Sequence, residues 1–121
     1  MKKIILDTNF ILYCLEYKVD ILAELTRICD FPFQVCILDK TIDELKGKKL
    51  EKLALTFIKK LDIIQTKKDK SVDGLLLEQK ESIVATQDKI LKEKLKKAGI
   101  PIIILRQKKY LMFENVLRNH S

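Results

Sequence analysis

Short apolar runs rich in β-branched residues alternate with amphipathic segments along this 121-residue chain, and this alternation limits the folds available to it. Strands separated by helices predict βαβ crossovers and a parallel sheet that is covered by helices on both faces. The runs that predict strands are 3–7, 33–38, 62–65, 82–86 and 101–105. The segments whose periodicity predicts helices are 8–18, 19–29, 40–46, 48–61, 72–80 and 87–98.

The length predicts one domain over residues 1–121, with a short basic and partly apolar C-terminal tail over 106–121. Cys14, Cys29 and Cys36 lie among apolar neighbours and form no C-x-x-C pair, so we expect buried thiols in a reducing compartment. No apolar stretch approaches the roughly 18 uninterrupted residues of a spanning helix. The sequence therefore predicts a cytoplasmic protein that does not associate with a membrane.

The one histidine, His120, lies next to the last residue of the sequence. A position at a terminus disfavours Ser-His-Asp, Cys-His and histidine-ligated zinc mechanisms, because chain ends usually fray. The catalytic groups that remain in quantity are carboxylates. Carboxylates favour hard, oxygen-binding cations such as Mg²⁺ or Mn²⁺.

Charge is distributed unevenly along the chain, whose formal net charge is +7. Residues 1–44 carry five basic and eight acidic groups, whereas residues 45–121 carry nineteen basic and nine acidic groups. Most of the basic excess falls within 46–70 and 89–109. Such clusters suit contacts to phosphate, but they equally suit the solvated faces of lysine-rich helices.

Four acids fall at the end of a predicted strand, just after one, or in the helices that follow: Asp7, Glu44, Asp73 and Asp88. Each has a simpler structural explanation when it is taken singly. Thr41-x-x-Glu44 fits a capping box, and an Asp in the first turn of a helix favours the helix dipole.

Taken together, the four positions indicate a shared binding site, because the carboxyl ends of parallel strands meet at one edge of a sheet and ligands bind there. Four acids at one edge would repel each other and raise each other's pKa unless a cation neutralised them. The pattern therefore predicts a site for a divalent metal, which can activate water and stabilise the leaving oxygen of a phosphodiester.

The motifs around these acids resemble the PIN domain of metal-dependent ribonucleases. They are ILDTNF at 5–10, IDEL at 42–45, VDGLL at 72–76, VATQD at 84–88 and, after a lysine-rich helix, GIPIIIL at 99–105. The resemblance covers essentially the whole chain. It implies a three-layer α/β/α fold with a mostly parallel sheet of four or five strands, a Mg²⁺ or Mn²⁺ site, and hydrolysis of RNA phosphodiester bonds.

Matched position by position, the resemblance makes the same four acids the catalytic and metal-binding residues. It also implies that Asn9 and Thr86 support the site, and we expect them to orient carboxylates or coordinated waters. The basic residues that would contact the RNA backbone are Lys89, Lys92, Lys96, Lys97, Arg106, Lys108 and Lys109.

The resemblance includes two branches of the family. Small PIN toxins cut RNA and are restrained by an antitoxin, whereas archaeal and eukaryotic members mature ribosomal RNA. The ending from Gly99 to Tyr110 favours the processing branch. A toxin-type ribonuclease, or a catalytically weak RNA-binding scaffold of a pre-ribosomal particle, is the alternative. The expected partners are RNA, a second copy of the chain, and an antitoxin or pre-ribosomal proteins.

The aromatic residues are explained more simply by packing than by contacts with RNA. Phe10, Tyr13, Tyr17 and Phe57 follow helical apolar patterns that predict the core. Residues 110–113 predict a hydrophobic segment that packs on the domain or on a second copy, with stacking of Tyr110 on an unpaired base as the alternative.

Overall fold

The described residues form one six-stranded sheet in the computed structural model, which describes residues 1–66 and 71–114. The strands are β1 (Lys2–Leu6), β2 (Phe33–Leu38), β3 (Asp62–Ile64), β4 (Ile83–Ala85), β5 (Ile102–Arg106) and β6 (Tyr110–Phe113). The helices are α1 (Thr8–Glu16), α2 (Ile21–Ile28), α3 (Asp39–Leu45), α4 (Glu51–Ile58), α5 (Val72–Leu77) and α6 (Lys89–Lys97).

The strand order is β3-β2-β1-β4-β5-β6. All neighbouring strands are parallel except β5 and β6, which are antiparallel. From β1 the chain builds outward through β2 and β3 on one side, and then through β4 and β5 on the other. The strand order thus reverses between β1 and β4, which is the place where open α/β sheets bind ligands.

The central strand divides its side chains between two hydrophobic layers, because successive strand residues point to opposite faces. Ile4 and Leu6 pack in the core beneath α1, α2 and α4, whereas Ile5 packs against α5 and α6. The prediction of a three-layer α/β/α fold with a mostly parallel sheet is confirmed. Cys14, Cys29 and Cys36 are free and buried, as predicted.

All five predicted strands and all six predicted helices are present, with shifts at their ends. β2 has the predicted bounds. Gly47 follows α3 with a φ of +77°, a conformation that glycine adopts without strain. The helix predicted from residue 48 begins only at Glu51, because Leu50 takes a left-handed conformation with a φ of +69°.

The sixth strand is the main difference from the prediction of four or five strands. Residues 106–114, expected as the start of a tail, turn back and complete the sheet as its antiparallel edge. The reversal occurs at Gln107 and Lys108, whose φ values are +54° and +58°. Glycine and asparagine are the usual signals for such a turn, and neither is present, so the sequence pattern did not indicate it.

Side chains of α2 cover the exposed edge of β6. The Leu111 N–H donates to Glu24 Oε1 at 2.9 Å, and Arg27 Nη2 donates to the Leu111 carbonyl at 2.8 Å. Both groups belong to the outward side of an edge strand, where unpaired backbone atoms can template association with another chain. The contacts satisfy them within the molecule and fix β6 in place.

Three expectations fall outside the described residues. They concern His120, the tail over 115–121, and residues 67–70 of the polar segment between the strand predicted at 62–65 and the helix predicted at 72–80. Within the ranges 1–66 and 71–114, no helix has the length and apolar character needed to cross a bilayer.

Candidate active site

Asp7 is the most buried of the four predicted acids, with only 8% of its surface exposed. It follows the central strand β1 and caps the N-terminus of α1. Its Oδ1 accepts a hydrogen bond from the Thr8 N–H at 2.9 Å, and its Oδ2 accepts one from Thr86 Oγ1 at 2.8 Å. Both carboxylate oxygens are thus oriented, one by the first residue of α1 and the other by a residue that follows β4.

Burial raises the pKa of Asp7 to about 6, from an ordinary value of 3.8. Hydrogen bonds from Thr86 and Thr8 lower this pKa, and the charges of Asp73 and Glu44 raise it further. The ionised form of Asp7 is therefore destabilised in the metal-free protein. A cation nearby would reverse this effect, because it favours the charged carboxylate.

Glu44 is joined to the Asp7 region through Thr8. The Thr8 hydroxyl donates to Glu44 Oε1, and it also lies 3.4 Å from the buried Thr41 hydroxyl. The capping-box explanation of Glu44 is wrong, because α3 begins at Asp39 and Thr41 is inside the helix. Glu44 instead faces the carboxyl end of the sheet.

Thr86 and Asp88 follow β4, next to Asp7. Thr86 is fully buried, and its hydroxyl both donates to Asp7 and accepts from the Asp88 N–H at 3.1 Å. Asp88 is the N-cap of α6, where its Oδ1 accepts from the Leu91 N–H at 3.0 Å. One hydroxyl therefore fixes the relative positions of two predicted site residues.

Asp73 lies in the first turn of α5, as predicted. The helix is capped by Ser71, whose Oγ accepts from the Gly74 N–H at 3.1 Å. Partial burial raises the pKa of Asp73, the charge of Asp88 raises it further, and Lys94 lowers it. Asp73 is thus influenced electrostatically by an acid from a different βα unit.

All four predicted acids line one cavity of about 280 Å³, which we call the carboxylate cavity. Asn9 and Lys48 also line it. The structure therefore brings together residues that are up to 81 positions apart, between Asp7 and Asp88. An apolar cavity of about 920 Å³, lined in part by Phe31 and Phe113, lies at the opposite end of the sheet and is remote from these acids.

The donor set of the carboxylate cavity consists of oxygen atoms, which are the ligands that Mg²⁺ and Mn²⁺ prefer. Among residues 1–66 and 71–114, no three acidic, histidine or cysteine side chains are close enough together to ligate one ion as they stand. Glu44 and Asp88 are exposed and Asp73 is half-buried, so these side chains have room to turn toward a cation or to bind it through water. The residues therefore fit such a metal by their chemistry and shared cavity.

The predicted RNA-binding residues separate into groups. Arg106, Lys108 and Lys109 lie at the β5–β6 turn, at the same end of the sheet as the carboxylates. Lys92 and Lys96 instead form ion pairs with Glu114 at 3.0 and 3.1 Å, so their charges are already partly compensated. Lys89 and Lys97 line a small surface cavity along α6.

Sequence reasoning missed Thr8, Lys48 and Tyr13. Thr8 connects Asp7 to Glu44, although only Asp7 and Asn9 of the DTN motif at 7–9 are predicted site residues. Lys48 is a cation among the acids, but its place in a lysine-rich run concealed it. The prediction that Tyr13 lies in the core is wrong, because the residue is 46% exposed.

The chain belongs to the PIN-domain family, since the family model described as "PIN like domain" matches residues 4–108. Among individual relatives, Ribonuclease VapC4 of Methanocaldococcus jannaschii is 36% identical over 126 residues, covering 91% of this chain and 95% of that protein. The rRNA-processing protein fcf1 of Schizosaccharomyces pombe is 31% identical over 114 residues, covering 83% of this chain and 57% of that protein.

A solved structure gives the same result at the level of the fold. The structure of the PIN domain endonuclease Utp24 superposes with a TM-score of 0.83 and 30% identity, covering 94% of this chain and 92% of that chain. The family resemblance drawn from the motifs is confirmed, and proteins named for both ribonuclease and rRNA-processing roles are among the relatives.

Proposed function

We propose that the protein is a metal-dependent endoribonuclease that hydrolyses RNA phosphodiester bonds. The observation that carries the proposal is the convergence of four carboxylates in one cavity, at the point where the strand order reverses. The similarity to ribonucleases over 91% of the chain supports a nuclease reaction at this cavity.

Asp7, Asp73 and Asp88 would hold Mg²⁺ or Mn²⁺, directly or through water, and Glu44 would complete the set of ligands. When bound, such a metal lowers the pKa of a coordinated water and stabilises charge that develops on the phosphate.

The remaining residues of the cavity position these carboxylates. Thr86 holds Asp7 and the start of α6 through its two hydrogen bonds, and Thr8 holds Asp7 and Glu44. Asn9 lines the cavity and supplies a neutral amide for orienting water or substrate. Lys48 supplies a positive charge that suits a phosphate oxygen.

RNA is the proposed substrate, and the seven basic residues named from the sequence are the proposed contacts to its backbone. Arg106, Lys108 and Lys109 are the best placed of these, because they lie at the same end of the sheet as the carboxylate cavity. Lys92 and Lys96 would first have to exchange Glu114 for a phosphate.

For the biological role we retain ribosomal RNA processing, with a toxin-type ribonuclease as the alternative. The GIPIIIL ending and the similarity to fcf1 and to the Utp24 domain support the former, and the similarity to VapC4 supports the latter. A second copy of the chain, an antitoxin or pre-ribosomal proteins are the corresponding partners. Three buried thiols suit the reducing cytoplasm.

A catalytically weak RNA-binding scaffold is the second candidate function. One observation favours it: in the part of the chain that the structure describes, no three acidic side chains lie close enough together to ligate one ion. A scaffold would bind RNA equally well with and without a divalent metal.

The test is incubation of the purified protein with labelled single-stranded RNA in Mn²⁺, in Mg²⁺ and in EDTA. Asp73→Asn removes one acid of the cavity. Asp43→Asn is the matched control, because Asp43 lies beside Glu44 in α3 but its side chain is 76% exposed and pairs with Lys46. We expect metal-dependent cleavage by the wild type and the control, and loss of it in Asp73→Asn. Intact RNA with metal-independent binding would favour the scaffold.

A further inference from the structure

A second cavity, of about 410 Å³, adjoins the carboxylate cavity. Asn9 and Asp88 line both cavities, so the two share a wall. The far side of the second one is lined by Tyr13, Tyr17 and Lys108, and we call it the tyrosine cavity. A substrate that occupied the carboxylate cavity would extend naturally into this space.

The two tyrosines form a small aromatic surface at the C-terminal end of α1, which Tyr17 caps. They are four residues apart, which places them on the same face of a helix. Their rings are stacked, with centroids 6.4 Å apart and planes inclined by 7°. Tyr17 packs against the hydrophobic core, whereas Tyr13 is 46% exposed and leaves ring surface open to a ligand.

A positive charge lies beside this aromatic surface. Lys108 Nζ is 5.1 Å from the centroid of the Tyr17 ring, within the range of cation–π attraction. Lys108 belongs to the β5–β6 turn, so this contact joins the turn to the C-terminal end of α1.

One side of the tyrosine cavity is formed by Gln87, which is hydrogen-bonded to the backbone of β5. Its amide nitrogen donates to the Leu105 carbonyl at 3.1 Å, and its amide oxygen accepts from the Leu105 N–H at 2.6 Å. Gln87 thereby continues the pairing of β4 with β5 beyond Ala85, the last residue of β4. The tyrosine cavity is consequently bounded by rigid backbone on this side.

We propose that the tyrosine cavity binds the base of an unpaired nucleotide adjacent to the RNA phosphate that is cleaved. The inference rests on the proposed nuclease function and extends it to the form of the substrate. Tyr13 stacks on the base, and Lys108 neutralises a phosphate that flanks it. An aromatic face with a neighbouring cation is the usual means of binding single-stranded nucleic acid.

This site gives the protein a preference for single-stranded RNA. A base within a duplex is already stacked on its neighbours, and it cannot reach Tyr13 unless it leaves the helix. Stacking also requires only the flat face of a base, so the site favours unpaired nucleotides with little discrimination among the four bases.

The test compares the affinity of the full-length protein for a fluorescent single-stranded oligoribonucleotide and for the same strand in a duplex, both in EDTA. Tyr13→Ala removes the ring, and Tyr13→Phe retains it. Leu53→Ala is the control, because Leu53 is a similarly exposed apolar helix residue that does not line either cavity in the part of the chain that is described. Circular dichroism confirms that each variant is folded.

We expect Tyr13→Ala to weaken single-strand binding by roughly 5- to 100-fold, as base–aromatic stacking contributes elsewhere. Tyr13→Phe and Leu53→Ala should bind within about twofold of the wild type, and duplex binding should change little. Because the chain has no tryptophan, tyrosine emission can report base binding as quenching, and Tyr13→Ala should lose the part of that quenching that comes from Tyr13.

Single-strand affinity unchanged in Tyr13→Ala would overturn the base site, and so would equal losses with single strand and duplex. Cleavage by the wild type in Mn²⁺, measured in parallel, separates this failure from failure of the nuclease. If the wild type cleaves RNA and Tyr13→Ala binds single strands as well as the wild type does, only the base site is refuted. If the wild type leaves RNA intact, the nuclease proposal is refuted. The binding comparison then still decides whether the base site exists.

Discussion

The two sides of the carboxylate cavity are built differently. On the Asp7 side, a buried acid that follows the central strand has both oxygens hydrogen-bonded, one by the Thr8 N–H at the start of α1 and the other by the Thr86 hydroxyl just after β4. On the Asp73 side, a half-buried acid lies on the six-residue helix α5, which Ser71 caps. The first acid is held by the core of the molecule and the second by a local contact at a helix end.

The difference shows how the protein distributes the cost of placing like charges together. Burial and the neighbouring acids raise the pKa of Asp7, while its hydrogen bonds fix its geometry before any cation arrives. The Asp73 side chain is only half-buried and has freedom to adjust. The Asp7 side is therefore a rigid anchor, and the Asp73 side adapts to a bound ion.

The largest expected effect concerns cleavage by Asp7→Asn and Asp73→Asn. Both changes should reduce the rate by about 100- to 1000-fold, as loss of one group that stabilises transition-state charge commonly does. Raising Mn²⁺ should recover part of the activity of Asp73→Asn, because its side of the cavity can adjust, and little of that of Asp7→Asn. Rates measured across a Mn²⁺ series test this, and equal recovery would contradict the proposed asymmetry.

A smaller effect should follow from removing the hydroxyl that orients Asp7. We expect Thr86→Val to weaken Mn²⁺ binding by about 10- to 100-fold, the usual result when a hydrogen bond to a metal ligand is lost. Thr86→Ser retains the hydroxyl and should bind Mn²⁺ nearly as well as the wild type. Calorimetric titration of both variants measures the difference, and similar weakening in the two would assign Thr86 a packing role only.

The pH dependence of stability in EDTA should reveal the burial of Asp7. The folded pKa of about 6 exceeds the ordinary 3.8, so the folded state retains a proton that the unfolded chain releases, and stability falls as pH rises between these values. The size of this pKa shift means that ionisation of Asp7 can lower the free energy of unfolding by at most about 3 kcal/mol. Because asparagine loses part of the hydrogen bonding, we expect Asp7→Asn to be about 1–2 kcal/mol more stable than the wild type at pH 7.5.

Urea unfolding of the two proteins from pH 4 to pH 8 measures this difference. The advantage of Asp7→Asn should diminish as the pH falls to 4, where the wild-type carboxyl is protonated in the folded protein. A constant difference between the two proteins over this range would show that burial does not destabilise the ionised Asp7 carboxylate.

The smallest effect should arise at the cap of α5. Ser71→Ala removes the acceptor of the Gly74 N–H, and loss of such a cap costs about 1 kcal/mol. If the Asp73 side adapts to a cation, Mn²⁺ should restore part of this stability by tying α5 to the site. Thermal unfolding of both proteins with and without Mn²⁺ measures this stability difference. If Ser71→Ala is destabilised equally under both conditions, α5 does not contribute to metal binding.

Much of the fold could be predicted because local sequence and tertiary structure agree. The largely apolar run of β2 and the glycine stop after α3 each specify their element locally. The convergence of the four acids also followed from topology, since parallel strands bring their carboxyl ends to one edge. These features depend on the order of elements rather than on the details of packing.

The remaining features depend on contacts between distant residues. β6 required two residues without a turn signal to adopt positive φ, and it is secured by Glu24 and Arg27 from α2. The exposure of Tyr13 depends on which surfaces of α1 are left uncovered by neighbouring elements, which helical periodicity does not specify. The bond from Thr8 to Glu44 joins positions 36 residues apart.

The most direct test of the central claim is a Mn²⁺ titration of the metal-free protein followed by electron paramagnetic resonance, which counts bound ions without any substrate. We predict saturable uptake of about one or two Mn²⁺ per chain, displaced by Mg²⁺. Asp7→Asn should weaken this uptake at least tenfold, and Asp43→Asn should leave it unchanged. Uptake that does not saturate, or that is the same in Asp7→Asn as in the wild type, would contradict a metal site at the carboxylate cavity.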